Sequence, residues 1–340
     1  MIVVARQREA QVLAQRLSAR NPRRPPKHSR LRSAVALIGA AGLGVLPGCT
    51  TGTPPSVVAA DGVLCDLTRR LAASDLPVVC LLRPDDDPHQ FQLSPQQGAA
   101  VRQSRLLLIN GYDLTPSLAD VPKAVAVAEL AVPGSPALAS GRDPHVWHDP
   151  AQAAAMLQLV SQRLQALAPA RAAAIQHRQQ AMLQALRGLD RWNRQQFGTL
   201  PPGPGARTLA SGHRAFASLS RAYGLRELAV VDEHSASDSL RPQTLAAAVQ
   251  HLQQDRVQAL FSETWPPSRA LSRISALSGV KLAPQPLRAD GLAPASATGG
   301  RDGDLISTLT ANTCLIVDQL GGRCDRSGQQ QLIQQWQAIR

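Results

Sequence analysis

Three histidines, His89, His145 and His213, each lie in a loop-like segment beside a short apolar run, and two of them close the same tripeptide, Asp87-Pro88-His89 and Asp143-Pro144-His145. A neutral imidazole is a strong nitrogen donor to a borderline divalent cation, and three that converge define a site of zinc type. Metal binding is therefore the chemistry to expect. An Asp-Pro pair holds the residue before proline extended, and the Pro-His step then turns the chain just beyond a strand. Loops of that kind, at the C-terminal ends of strands, are where open α/β sheets bind their ligands.

The elements that must position these side chains are legible as alternating patterns. Residues 57–60, 78–82, 106–110, 208–210, 228–231 and 259–262 read as short strands, and 61–73, 95–104, 216–223, 242–254 and 269–278 as helices. Strand and helix in alternation predict an α/β fold with parallel sheets covered by helices. The middle of the chain breaks the rhythm. Asp149 is a good helix cap with Pro150 at the first helical position, and a helix should run to about residue 166. From Pro169 a second stretch continues without proline to about residue 196, roughly 40 Å of helix, with Ile175, Met182, Leu186 and Leu189 along one side. A helix of that length braces two lobes. Gly198 and Pro201-Pro202-Gly203-Pro204-Gly205 end it. The division expected is a leader over 1–48, a tether over 49–56, a first lobe over 57–167, the linking helix over 168–197 and a second lobe over 198–340.

The strong positive charge belongs mostly to the leader. Residues 1–33 hold nine Lys or Arg against the single acid Glu9, so eight of the twelve formal charges lie there. The rest of the chain gives little reason to expect nucleic acid as a partner. After the basic stretch come twelve apolar or small residues, 34–45, too few to span a bilayer but suited to the core of an export signal. Leu46-Pro47-Gly48-Cys49 then resembles a lipobox, at which Cys49 is lipidated and attached to the membrane; Pro47 is an unusual occupant. Four cysteines remain, an even number in an exported chain, and proximity favours disulfides Cys65–Cys80 and Cys314–Cys324, four reduced thiols being the alternative.

Six segments carry a family resemblance in order: Asp87-Pro88-His89; Asn110-Gly111; Asp143-Pro144-His145-Val146-Trp147 followed by Asp149-Pro150; Ser211-Gly212-His213-Arg214-Ala215-Phe216; Tyr223-Gly224-Leu225; and Phe261-Ser262-Glu263. The chain from 56 onward resembles the metal-specific substrate-binding lipoproteins of ABC importers, the group of ZnuA-like and TroA-like proteins. The resemblance implies two α/β lobes joined by a long helix with the metal in the cleft between them. It implies His89 and His145 as ligands from the first lobe, His213 from the second, and a late carboxylate, for which Asp290 is the fitting residue. It implies Zn²⁺ as transported cargo, with Mn²⁺ as the alternative, since manganese-selective members tend to carry glutamate where this chain has His213. The implied partner is an ABC permease in the cell envelope, approached by a lipid-anchored monomer.

Two departures from the pattern stand out. Residues 114–142, where many zinc members carry a His-rich loop, contain no histidine, and His148 occupies a position usually apolar. His148 reads either as a surface side chain or as a partner of a ligand. Glu263 either orients a ligand or caps the turn that follows it. His177 and His251 read as surface residues of helices, and His234 sits in an acidic loop. Two other classes compete. A zinc hydrolase would keep a water on the metal, and the chain has no HExxH and no GxSxG. A surface adhesin would need an interaction face, which an aromatic content of 3% does not favour. The expectation is a binding protein, not an enzyme.

Overall fold

The computed structural model describes residues 57–84, 86–138, 141–232, 241–294 and 303–339. The leader, the lipobox cysteine Cys49, the tether and His234 lie outside them. Two parallel sheets form the frame. The first has the order β2-β1-β3-β4, from β1 (Val57–Ala59), β2 (Val78–Cys80), β3 (Leu106–Ile109) and β4 (Ala124–Ala126). The second has the order β8-β7-β9, from β7 (Thr208–His213), β8 (Arg226–Asp232) and β9 (Leu260–Phe261), with Leu282 bridging in parallel beyond β9. A small antiparallel pair, β5 (Ala137–Leu138) and β6 (Gly141–Arg142), precedes the His145 segment.

Both faces of each sheet are covered, which is why the strands read as continuous apolar runs rather than as alternating ones. In β1, Val57 and Ala59 face one cluster with Leu64, Leu67 and Leu71 of α1 (Gly62–Ala72), while Val58 joins Leu107, Ile109 and Val101 of α2 (Pro95–Gln103) on the other side. In the second sheet Leu209 and Phe261 face one core, and Ala210, Val230 and Leu260 the other. The α1 helix begins at Asp61, whose carboxylate caps Leu64 N at 2.8 Å. A five-residue helix, α3 (Val127–Ala131), follows β4 directly.

The expected pair of long helices is present as α4 (Pro150–Leu167) and α5 (Ala172–Gly198), the second opened by a 3₁₀ turn over Pro169–Arg171. Twenty-seven residues make α5 roughly 40 Å long. Its stripe is buried as expected: Ile175, Met182 and Leu189 are fully covered and Leu186 nearly so. Ile175 through Trp192 belong to the core of the first sheet, whereas Phe197 belongs to that of the second. The helix therefore enters both cores.

After α6 (Ala217–Tyr223), α7 (Pro242–Gln254) and α8 (Arg269–Ser278), two helices close the chain, α9 (Leu305–Gln319) and α10 (Arg326–Gln337). They return to the first lobe: Leu305, Ile306, Leu309 and Trp336 share its core, while Ile316 and Val317 face the second. Disulfides join Cys65 to Cys80, across α1 and β2, and Cys314 to Cys324, with Cα separations of 5.6 and 5.1 Å. Among the described residues no helix is long and apolar enough to cross a membrane.

Candidate metal centre

The two Asp-Pro-His tripeptides fold alike at their first step. In each, the aspartate Oδ1 accepts the backbone N–H of the histidine two residues on, at 2.9 Å, which turns the chain into a 3₁₀ turn that opens one residue before His89 and one residue after His145. The environments then diverge. Asp87 is exposed and also accepts from Gln90. Asp143 is fully buried, and its Oδ1 lies 2.8 Å from Nδ1 of His145. A carboxylate only accepts, so Nδ1 carries a proton, and Nε2 of His145 points the other way, toward Asp290 Oδ1 at 2.9 Å.

Asn110, at the end of β3, donates from Nδ2 to the carbonyls of Pro144 at 2.9 Å and Gly111 at 3.2 Å, which ties the His145 segment to the first sheet. Gly111 has φ of 89°, and a Cβ there would meet Glu129 at 2.8 Å, so glycine is required in this turn.

His213 corrects the expectation of a loop. It is the last residue of β7, reached through an irregularity in the pairing between Ser211 and His213. Glu263, just past β9, accepts from Gly212 N at 2.7 Å, and its other oxygen stands 4.0 Å from Nδ1 of His213. Glu263 thus touches the backbone of the histidine segment at Gly212 and, at 3.4 Å, at His213 N. Burial raises its carboxyl to about 7, against the pull of His213. A Cβ on Gly212 would fall 2.4 Å from Glu263 Oε2, which explains the glycine.

Asp290 reaches the centre from the loop between Leu282 and α9. Asn312 of α9 clamps that loop by accepting from Arg288 N at 2.9 Å and donating to Arg288 O at 2.8 Å, and Thr308 accepts from Ala293 N at 3.0 Å. Sequence reasoning missed Asn312 and Thr308, because nothing local marks a helix residue as the anchor of a loop about twenty positions earlier.

These anchors bring the four expected residues together. Asp290 Oδ1 stands 3.3, 2.9 and 3.4 Å from Nε2 of His89, His145 and His213. The three imidazole centroids are 5.6 to 6.5 Å apart, and one donor atom from each residue lies within 4.8 Å of all the others. The donors of a tetrahedral zinc sphere stand about 3.3 Å apart for bonds of about 2.0–2.1 Å, so the carboxylate oxygen already has the spacing of a fourth ligand. The donor set fits a four-coordinate borderline cation and no other cluster of this kind occurs among the described residues. His145 and His213 are buried, whereas 19% of the His89 and 27% of the Asp290 side chain is exposed.

The electrostatics of the metal-free cluster follow from the same contacts. Burial opposes charge on His145, yet hydrogen bonds to Asp143 and Asp290 overcome it and push the imidazole up to about 10. His213 is raised in the same way by Asp290, and the three imidazoles hold Asp290 well below the usual carboxylate range against its own burial. His148 is not a fifth donor. It is buried rather than on the surface, its Nε2 bonds the carbonyl of Ala289 at 2.9 Å, and burial lowers it to about 4, so the ring is neutral. His177 and His251 are exposed and away from the cluster.

Comparisons with known proteins identify the family. Residues 57–319 match the family of the periplasmic component A of the zinc-uptake complex, ZnuA. The chain is 30% identical over 225 residues to the zinc-binding protein TroA of Treponema pallidum, covering 62% of this chain and 70% of that protein. It is 26% identical over 221 residues to the manganese-binding lipoprotein MntA of Bacillus subtilis, covering 61% and 70%. The solved structure of the periplasmic zinc-binding protein TroA from Treponema pallidum superimposes with a TM-score of 0.71 at 25% identity, over 79% of this chain and 99% of that one.

Proposed function

Because the chain belongs to the ZnuA family of periplasmic zinc-uptake components, and so is a metal-binding substrate-binding protein of an ABC importer rather than an enzyme, we propose that its cargo is Zn²⁺, held by His89, His145, His213 and Asp290. The single observation that carries this reading is the Asp290 carboxylate oxygen within 3.4 Å of three imidazole Nε2 atoms. Three imidazoles and one carboxylate suit Zn²⁺ better than Mn²⁺, which favours oxygen donors. Four protein ligands leave no position for a reacting water, which suits carriage over hydrolysis.

Capture begins on the exposed side, where Asp290 and His89 meet the incoming ion, and ends on the buried His145 and His213. The ion displaces the protons these imidazoles hold in its absence. Since α5 enters both cores, the change on binding is local to the ligand loops rather than a wide closure of the lobes. The loaded protein, lipid-anchored through Cys49, then docks on a membrane permease as a monomer and releases the ion to it.

Metal content of the purified protein, with His213→Ala alongside, tests the reading. One equivalent of zinc retained against a tenfold excess of manganese, and lost in the variant, is the expected result. Unchanged zinc in the variant contradicts the ligand assignment, and manganese in place of zinc contradicts the choice of ion.

A further inference from the structure

His148 touches the segments of three of the four metal donors at once. It lies three residues beyond His145, at the end of the 3₁₀ turn that His145 precedes. Its ring packs at a tilt of 47° against Phe216, three residues beyond His213, with 4.9 Å between centroids. Its Nε2 bonds the carbonyl of Ala289, the residue directly before Asp290, at 2.9 Å. A carbonyl only accepts, so Nε2 carries the ring proton. Nδ1 is buried and has no hydrogen-bond partner. The ring is 1% exposed, and its one hydrogen bond is that to Ala289.

That bond has a particular place in the loop. Asn312 holds Arg288 upstream and Thr308 holds Ala293 downstream. Between these clamps lies the carboxylate donor, the most exposed of the four. We propose that His148 is a positioning residue for the cargo site, whose Nε2–H ties the backbone before Asp290 to the His145 turn and so fixes the carboxylate against the three imidazoles. The inference rests on the reading of Asp290 as a ligand. Groups that orient a metal ligand in this way carry a measurable share of affinity without touching the ion.

The test compares the full chain with His148→Leu, which fills the space without a donor, with His148→Gln, whose amide offers a donor near the Nε2 position, and with His145→Ala as a ligand control. Zinc affinity is read by chelator competition, the coordination sphere by the visible spectrum of the Co²⁺ form, and the fold by melting of the metal-free protein. The expected result for His148→Leu is a full equivalent of zinc bound about 10–100-fold more weakly. Its Co²⁺ band should weaken as water replaces the loosened carboxylate, with metal-free melting unchanged and both properties restored in His148→Gln. Wild-type affinity and spectrum in His148→Leu overturn the proposal, as does a weakened affinity that His148→Gln fails to restore. Should His148→Leu not fold, the comparison passes to His148→Gln against His148→Asn, whose shorter amide does not reach Ala289, and equal behaviour of those two overturns it. Undiminished zinc binding in His145→Ala would instead overturn the underlying site, whatever the His148 variants do.

Discussion

One oxygen of Asp143, Oδ1, accepts two hydrogen bonds from the same residue, the backbone N–H of His145 at 2.9 Å and its ring Nδ1–H at 2.8 Å. The pair sets the backbone turn and the ring tautomer together, so Nε2 faces the cation site before any ion arrives. Replacing Asp143 by Asn keeps the shape but weakens the acceptor and frees the tautomer. Zinc affinity in Asp143→Asn is expected to fall about 10–100-fold, measured by chelator competition, while circular dichroism stays that of the parent.

On the proposed assignment, zinc and protons compete for the cluster. In the metal-free protein Asp143 and Asp290, against burial, hold His145 at about 10 instead of the ordinary 6.5. A pKa raised on folding contributes stability that is complete below about 6.5 and is lost as pH rises toward about 10. The metal-free fold should therefore loosen over that interval, and zinc affinity should rise over it as the competing proton leaves. Calorimetry at pH 7 in buffers of different ionisation enthalpy should show about one or more protons released per zinc bound. Release of none would contradict the protonated cluster.

Gly212 leaves room for Glu263 to hold the strand that ends at His213. A Cβ there would lie 2.4 Å from Glu263 Oε2. Gly212→Ala is expected to destabilise the fold by about 1–3 kcal/mol through overpacking and to weaken zinc binding by displacing His213. Chemical denaturation of the metal-free variant checks the first effect and chelator competition the second.

The Cys65–Cys80 disulfide closes a loop of 15 residues between α1 and β2, the strand that leads to His89. Its loss in Cys65→Ser/Cys80→Ser is expected to cost about 3 kcal/mol by the chain-entropy estimate, read as a lower denaturation midpoint. The proposed zinc site should still fill, because none of the four proposed ligands lies inside the loop.

Much of this molecule was legible where the signal is local. The Asp-Pro-His repeats could be read because an Asx turn needs only three neighbouring residues, and the apolar stripe of α5 because helical periodicity accumulates over 27 residues. Asp290 was reached through family resemblance alone; a single carboxylate before a glycine carries no pattern of its own. The strand at His213 was expected to stop at Ala210, since Ser211-Gly212 has turn composition, and the irregular pairing that carries β7 onward is set by Glu263 from 50 residues away. The three-residue strand β4 and the helices α9 and α10 were not anticipated. Their places depend on long-range packing, α9 against both cores and α10 against the first, and α9 supplies the Asn312 and Thr308 anchors that no local pattern announces.

X-ray absorption at the zinc edge of the loaded protein addresses the central claim most directly. Four donors at about 2.0–2.1 Å, three of them imidazole nitrogens and one a carboxylate oxygen, with one imidazole lost in His145→Ala, is the predicted result. A six-coordinate sphere dominated by oxygen, or one unchanged in His145→Ala, would contradict it.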